Sequence, residues 1–245
     1  MVSVDSVYQK VLAIANKEQR GYITPQEFNL FADQAQMEVF DQYFYDLNQF
    51  ERRPGSETQH ADMVDLIEGK LSLFKGPSVA ITSGQLIENL GSNDAPFYKL
   101  IQVVLSTSGI VSVPNDKIVE RLRGGQDFHK TQNSPLTRAT ADRPIYTEVN
   151  GRINIWPNIP PVGKEYQARI IRAPKTPNWT YLLASNQNAL YNPNATDHQD
   201  FELHPSEETK LVAKILQLAG VSMKDYNLAQ IAGQKEASTI QQEKQ

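Results

Sequence analysis

TPQEFNLFADQAQMEVFDQYFYDLNQF, residues 24–50, is the stretch whose reading decides the fold. Thr24 is placed to cap a helix, Pro25 sits at the first helical position, and Glu27 completes a Thr-x-x-Glu capping box. Nothing interrupts the pattern before Pro54–Gly55, so the spacing predicts one helix to about Phe50 that stops by Arg53. Its apolar residues occupy more than one side. Phe28, Phe31, Ala32, Ala35 and Val39 form one stripe, while Leu30, Met37, Phe40, Phe44 and Leu47 lie around another arc, with Tyr43 between. A surface helix needs only one buried stripe. This helix is therefore either central in its own domain or shared between a core and a partner, and the pattern leaves both open. Phe28, Leu30, Met37, Phe40, Tyr43, Phe44 and Leu47 are the candidates for a subunit interface.

Outward from this helix, Val4, Val7, Tyr8, Val11, Leu12 and Ala15 follow helical spacing and predict a helix over 4–15. Met63, Leu66, Ile67, Leu71 and Phe74 predict another over 61–74, ended by Gly76–Pro77. The period then shortens. Residues 97–105 and 109–113 read as strands, and 144–149 and 152–156 flank Asn150–Gly151, a turn pair that favours a tight hairpin because both positions want positive φ. Residues 166–172 read as a further strand, 124–142 as a long polar loop, and 185–200 as irregular. After Pro205 a helix returns, opened by Ser206-Glu207-Glu208, carrying Leu211, Val212, Ile215, Leu218 and Ala219, and closed by Gly220. The tail from Asp225 is weakly amphipathic. Leu228, Ile231 and Ile240 are its few large apolar residues and the candidates for docking on a neighbour, since such a tail either frays or docks on something else.

The order of helices, then sheet, then helices predicts an α+β fold. In this reading the N- and C-terminal helices form a helical bundle around a central, mainly antiparallel β region. The boundaries expected are 1–96 for the N-terminal helical part, 97–183 for the β-rich part, and 184–245 for a loop, the C-terminal helices and the docking tail.

Composition narrows the function classes. The chain has 245 residues, 40% of them apolar, with ten Tyr, nine Phe and no cysteine. The absence of cysteine excludes disulfide scaffolds, thiolate metal sites and cysteine nucleophiles together. Met1–Ala15 carries Asp5 and no basic segment ahead of an apolar run, so no signal peptide is expected, and no apolar run reaches the length of a membrane span. The net charge of −4 is unevenly spread. Residues 97–196 hold 12 Lys and Arg against 6 Asp and Glu, a balance of +6, which leaves −10 for the rest. Such polarity suits complementary faces between subunits as well as ordinary surface variation.

No chemical constellation stands above this background. Residues 16–27 mimic a calcium loop between two helices, but Arg20 would point a cation at the ion and Asn16 removes a ligand charge, so a helix–loop–helix corner is the better reading. His60, His129, His198 and His204 show no zinc-site helical spacing, and Asp197, His198, Asp200 and His204 read as a solvated loop. Neither a Gly-x-Ser-x-Gly elbow nor a phosphate loop is present. Glu207–Glu208 fits a helix start, where the dipole favours acids. Lys130, Arg138, Arg143 and Arg152 are candidates to meet phosphates or an acidic partner as point charges, or to serve as ordinary rim cations.

Three stretches carry a resemblance to a known family. Ala15–Ala32 (ANKEQRGYITPQEFNLFA), running into Gln34–Phe44 (QAQMEVFDQYF), resembles the opening of virion proteins of short-tailed bacteriophages, crAss-like and marine phages among them. Ser134–Thr140 (SPLTRAT), Arg143–Tyr146 (RPIY), Ile153–Pro157 (INIWP) and Arg172–Trp179 (RAPKTPNW) look like the sheet region of the same group, and Glu202–Lys210 (ELHPSEETK) looks like its end. The resemblance implies a head–tail adaptor or tail-tube ring protein, located in the virion after synthesis in the host cytoplasm. It implies a homo-oligomeric ring, usually a dodecamer, whose other partners are the portal protein and adjacent tail rings. DNA would pass through its channel without sequence-specific binding. No catalytic residue, metal or cofactor is implied, and no membrane. A net negative charge suits a channel along which DNA slides. The alternatives are another virion structural protein, capsid-associated or tail-fibre-proximal, and more remotely a tail-carried hydrolase.

Overall fold

In the computed structural model of the chain, the residues described are 1–17, 23–51, 57–91, 96–107, 116–123, 125–183, 189–222 and 234. They form two compact units, one of residues 1–73 and 174–245, the other of residues 74–173. Residues 74–96, which the sequence reading joins to the N-terminal helices, thus belong with the sheet, and 174–183 belong with the helices.

The first unit is built on helices α1 (Val4–Lys17), α2 (Pro25–Glu51), α3 (Glu57–Ser72) and α5 (Glu208–Ser222). The capping box at the start of α2 forms as its residues dictate. The Thr24 backbone N–H donates to Glu27 Oε2 at 3.0 Å and the Glu27 N–H returns to Thr24 Oγ1 at 3.3 Å. The Thr24 backbone N–H, with its hydroxyl second, holds the Glu27 carboxyl below its ordinary pKa. α1 opens where the Val4 N–H donates to Asp200 Oδ1 at 2.8 Å. Its Val4, Val7, Tyr8 and Val11 are buried, as their spacing requires. α2 packs against both α3 and α5, and α5 also packs on α1. A short 3-10 turn, Pro205–Glu207, leads into α5, its first free N–H satisfied where Ser206 N donates to His204 Nδ1 at 3.2 Å.

The second unit is a seven-stranded sheet. Its strands are β1 (Val79–Ile81), β2 (Gln85–Leu86), β3 (Phe97–Thr107), β4 (Lys117–Arg121), β5 (Ile145–Val149), β6 (Arg152–Trp156) and β7 (Lys164–Arg172), in the order β1-β7-β3-β4-β5-β6-β2. The Asn150–Gly151 hairpin is present, with φ of 50° and 68°, the values its two-residue turn demands. β4 and β5 run parallel, and between them lies α4 (Gly125–Asn133), the kind of crossover that parallel neighbours need. The two edge strands, β1 and β2, are joined by only Thr82-Ser83-Gly84. A link that short holds the opposite edges side by side, so the sheet curls nearly into a barrel. Gly84 turns this corner at φ 86° while its N–H donates to Ile153 O at 2.7 Å. Inside lie Val103, Leu105, Val119, Tyr146, Ile153, Ile155, Tyr166 and Ile170.

This architecture corrects the expected fold. The molecule is not a bundle of N- and C-terminal helices around a central antiparallel sheet. The sheet is mixed and almost closed, and a helix sits within its connections. The helical unit carries a strand pair of its own, β8 (Tyr181–Leu183) and β9 (Ala189–Tyr191). The physical reason is that β1 and β2 are too short to show a period, and α4 is polar apart from Phe128, which packs on Trp156 at 4.2 Å between ring centroids. The strand expected at 109–113 and the calcium-like positions 18–22 lie outside the described residues.

Candidate interaction surfaces

The helix that decides the fold finds most of its cover at home. Phe28, Phe40 and Tyr43 are buried along with Ala32, Ala35 and Val39. They are thus core residues of their own protomer, which corrects their candidacy for a subunit interface. The reason is that α3 and α5 flank α2, so a second apolar arc is filled without a neighbour. Tyr8 closes on Phe28 edge-on at 4.8 Å, and Phe44 closes on Phe40 edge-on at 5.2 Å. Met37, Phe44 and Leu47 are half-buried. Leu30, 71% exposed, is the one of the seven candidates that faces water. Leu228, Ile231 and Ile240 lie outside the described residues.

One buried side chain on α2 is polar. Gln36 donates to Lys175 O at 2.7 Å and accepts from the Glu202 N–H at 3.1 Å, while Glu202 Oε2 accepts from the Lys175 N–H at 3.0 Å. The amide thus satisfies backbone groups that would otherwise be buried unpaired. A second buried acid, Glu207, meets Lys70 at 2.5 Å and Lys210 at 4.0 Å. Charges so enclosed persist only when paired.

The four candidate cations are all exposed on the sheet unit but do not form one patch. Arg143 bonds Glu120 at 2.9 Å just ahead of β5, at the end of the hairpin where Ile145 faces Trp156. Lys130 is on α4, whose Phe128 packs at that same end. Arg152 sits at the opposite end, donating to Gly84 O at 2.8 Å. Arg138 follows α4 in a turn. The histidine-rich loop is likewise committed internally. Asp200 caps α1, His198 Nε2 meets the Tyr191 hydroxyl at 2.9 Å, and His204 caps the turn before α5. Among the described residues no group of three His, Asp or Glu is arranged to hold a metal, and no helix is long and apolar enough to cross a membrane.

Sequence reasoning missed the β8–β9 hairpin. Its root is Trp179, a buried indole whose Nε1 donates to Asp5 Oδ1 at 2.9 Å and whose backbone N–H donates to Asn29 Oδ1 at 2.9 Å. Tyr181 and Tyr191, a cross-strand pair, each stack with Trp179 at 5.8 Å. The opposite face presents the next cross-strand pair, Leu182 and Leu190, 61% and 58% exposed, and Leu183 is 70% exposed. A signal was available: no Asp, Glu, Lys, Arg or His occurs from Thr176 to Thr196. On the sheet unit the outer face of β4 shows Ile118, 69% exposed, one residue before the buried Val119. Ion pairs flank it along the strand, Lys117 with Asp142 and Glu120 with Arg143.

The charge polarity follows the division into units, somewhat reduced from that of residues 97–196 against the rest. Residues 74–173 hold 12 Lys and Arg against 8 Asp and Glu, a balance of +4. The other unit holds 12 against 20, a balance of −8, and the two together give the chain's −4. No protein-family model matches the chain, and no curated protein matches its sequence.

Proposed function

We propose that this chain is a non-enzymatic structural protein of a tailed-phage virion, a ring-forming subunit that joins the portal to the tail and surrounds the DNA passage. The observation that carries the proposal is the charge polarity of the two units, −8 on the helical one and +4 on the sheet. Oppositely charged units in one protomer favour contacts in which one unit of a copy meets the other unit of the next. Contacts of that heterologous kind close into rings when the rotation permits. Bare leucine and isoleucine side chains on both units supply apolar area for such contacts. The resemblance of residues 15–32, 34–44, 134–140, 143–146, 153–157, 172–179 and 202–210 to short-tailed-phage virion proteins points the same way. The partners under this reading are further copies of the chain, the portal protein and the adjacent tail rings, with DNA passing unread.

Light scattering and negative-stain microscopy of the purified chain, alone and mixed with the portal protein of its particle, test the proposal. Rings, or a monomer that assembles on the portal, are the expected result. A chain that stays monomeric at all concentrations and does not bind portal refutes it.

A further inference from the structure

We propose that the β8–β9 hairpin of one copy docks on the outer face of β4, around Ile118, in the sheet unit of a second copy. This rests on the ring-subunit reading and names the contact that would build it. The hairpin is a two-stranded ribbon. Among the described residues β8 pairs with β9 alone, so each strand keeps an open edge. Such ribbons are marginal by themselves. This one is held by its root, where Tyr181 and Tyr191 lie on Trp179 and two atoms of Thr180 are fixed on Asn192: its hydroxyl donates to Asn192 O at 2.5 Å and its carbonyl accepts from the Asn192 N–H at 2.9 Å. The strands are thereby presented firmly with their leucine face bare.

Open edges of soluble proteins are ordinarily guarded by charge, proline or a bulge against pairing with other chains. From Thr176 to Thr196 there is no charge at all. The hairpin therefore has the makeup of a contact surface. Charge selects its occupant. Two hairpins meeting each other would bring together two units of −8, whereas a sheet unit of a second copy brings +4. On that unit Ile118 is an exposed apolar side chain, and Glu120, two residues on along the same face of β4, is held in an ion pair with Arg143, a polar margin of the kind contact patches carry. Because the two halves of the contact differ, each docked copy keeps one half free, and addition continues until the ring closes.

The test uses the full chain. Leu182→Lys with Leu190→Lys charges the hairpin face, and Ile118→Lys charges the receiving face. All three side chains are exposed, so thermal unfolding should stay as in the parent. Each variant is expected to raise the concentration at half-assembly at least tenfold in sedimentation. Mixed together, the two retain one intact half each and should give heterodimers but no larger species. Since the chain has no cysteine, a Leu182→Cys, Ile118→Cys variant offers a clean oxidative cross-link between copies, expected as a ladder of covalent oligomers. Assembly of both lysine variants at parental concentration, or a cross-link formed by Leu182→Cys alone, overturns the docking and leaves the ring reading standing. A parent chain that never assembles, with or without portal, takes both down.

Discussion

Replacing Phe40 by alanine asks directly where α2 finds its cover. The ring is fully buried in the helical unit and meets Phe44 edge-on at 5.2 Å. Truncating a buried Phe to Ala costs about 3–5 kcal/mol, since burial is lost and a cavity remains. Loss of the aromatic pair contributes about 0.5–1.5 kcal/mol beyond its area. We expect Phe40→Ala to lose about 4 kcal/mol, a large share of the ~5–15 kcal/mol that holds a domain folded. Leu30→Ala, ten residues earlier on the same helix and facing water, should stay within about 0.5 kcal/mol. Urea unfolding of dilute, unassembled chain is the assay. Each unit contains one tryptophan, Trp179 in the helical and Trp156 in the sheet unit, so a Trp156→Phe background leaves fluorescence reporting the helical unit alone. If Phe40→Ala cost under about 1 kcal/mol in the monomer yet abolished assembly, the cover of α2 would come from sister molecules and the core assignment would be wrong.

Gln36→Leu should cost about 2–6 kcal/mol, because it strands the Lys175 carbonyl and the Glu202 N–H at about 1–3 kcal/mol each; a shift in urea midpoint no larger than that of a surface variant would sink the bridging role. Glu208 is held below the ordinary Glu pKa by the Lys10 ammonium first and the Ser6 hydroxyl second, each at 2.7 Å. A depressed carboxyl stabilises the fold above its unfolded pKa and loses that contribution as pH falls through its folded one. Glu208→Gln should therefore be less stable than the parent at neutral pH and converge with it in acid; a gap that is constant with pH would refute the pairing.

The long helices and the Asn150–Gly151 hairpin were legible because their causes are local. The Thr24–Glu27 box needs partners three residues apart, and the hairpin turn needs two residues that tolerate positive φ. α4 was not legible: eight of its nine residues are polar or glycine, and Phe128 acquires meaning only from Trp156. β8 and β9 went unseen for a related reason. Three-residue strands show no period, and what makes them a platform is the buried indole at their root, bonded to Asp5 and Asn29 far away in the chain.

The candidate interface divided along the same line. Periodicity showed that α2 has two apolar arcs, and it was right that one globular stripe does not account for them. Whether the second arc belongs to a neighbour was a question about what packs beside it, and α3 and α5 answer that for Phe40 and Tyr43. Sequence by itself determined the chain's long helices, its tight hairpin, its lack of thiol chemistry and its uneven charge, all of which follow from residue identity and short-range spacing. Only tertiary structure decided that the sheet is mixed and curls nearly to closure, that Phe28, Phe40 and Tyr43 of α2 are covered within the protomer, and that bare apolar groups remain at Leu182, Leu190 and Ile118. Those outcomes turn on which distant segments come together, and burial is a property of the neighbours a side chain acquires.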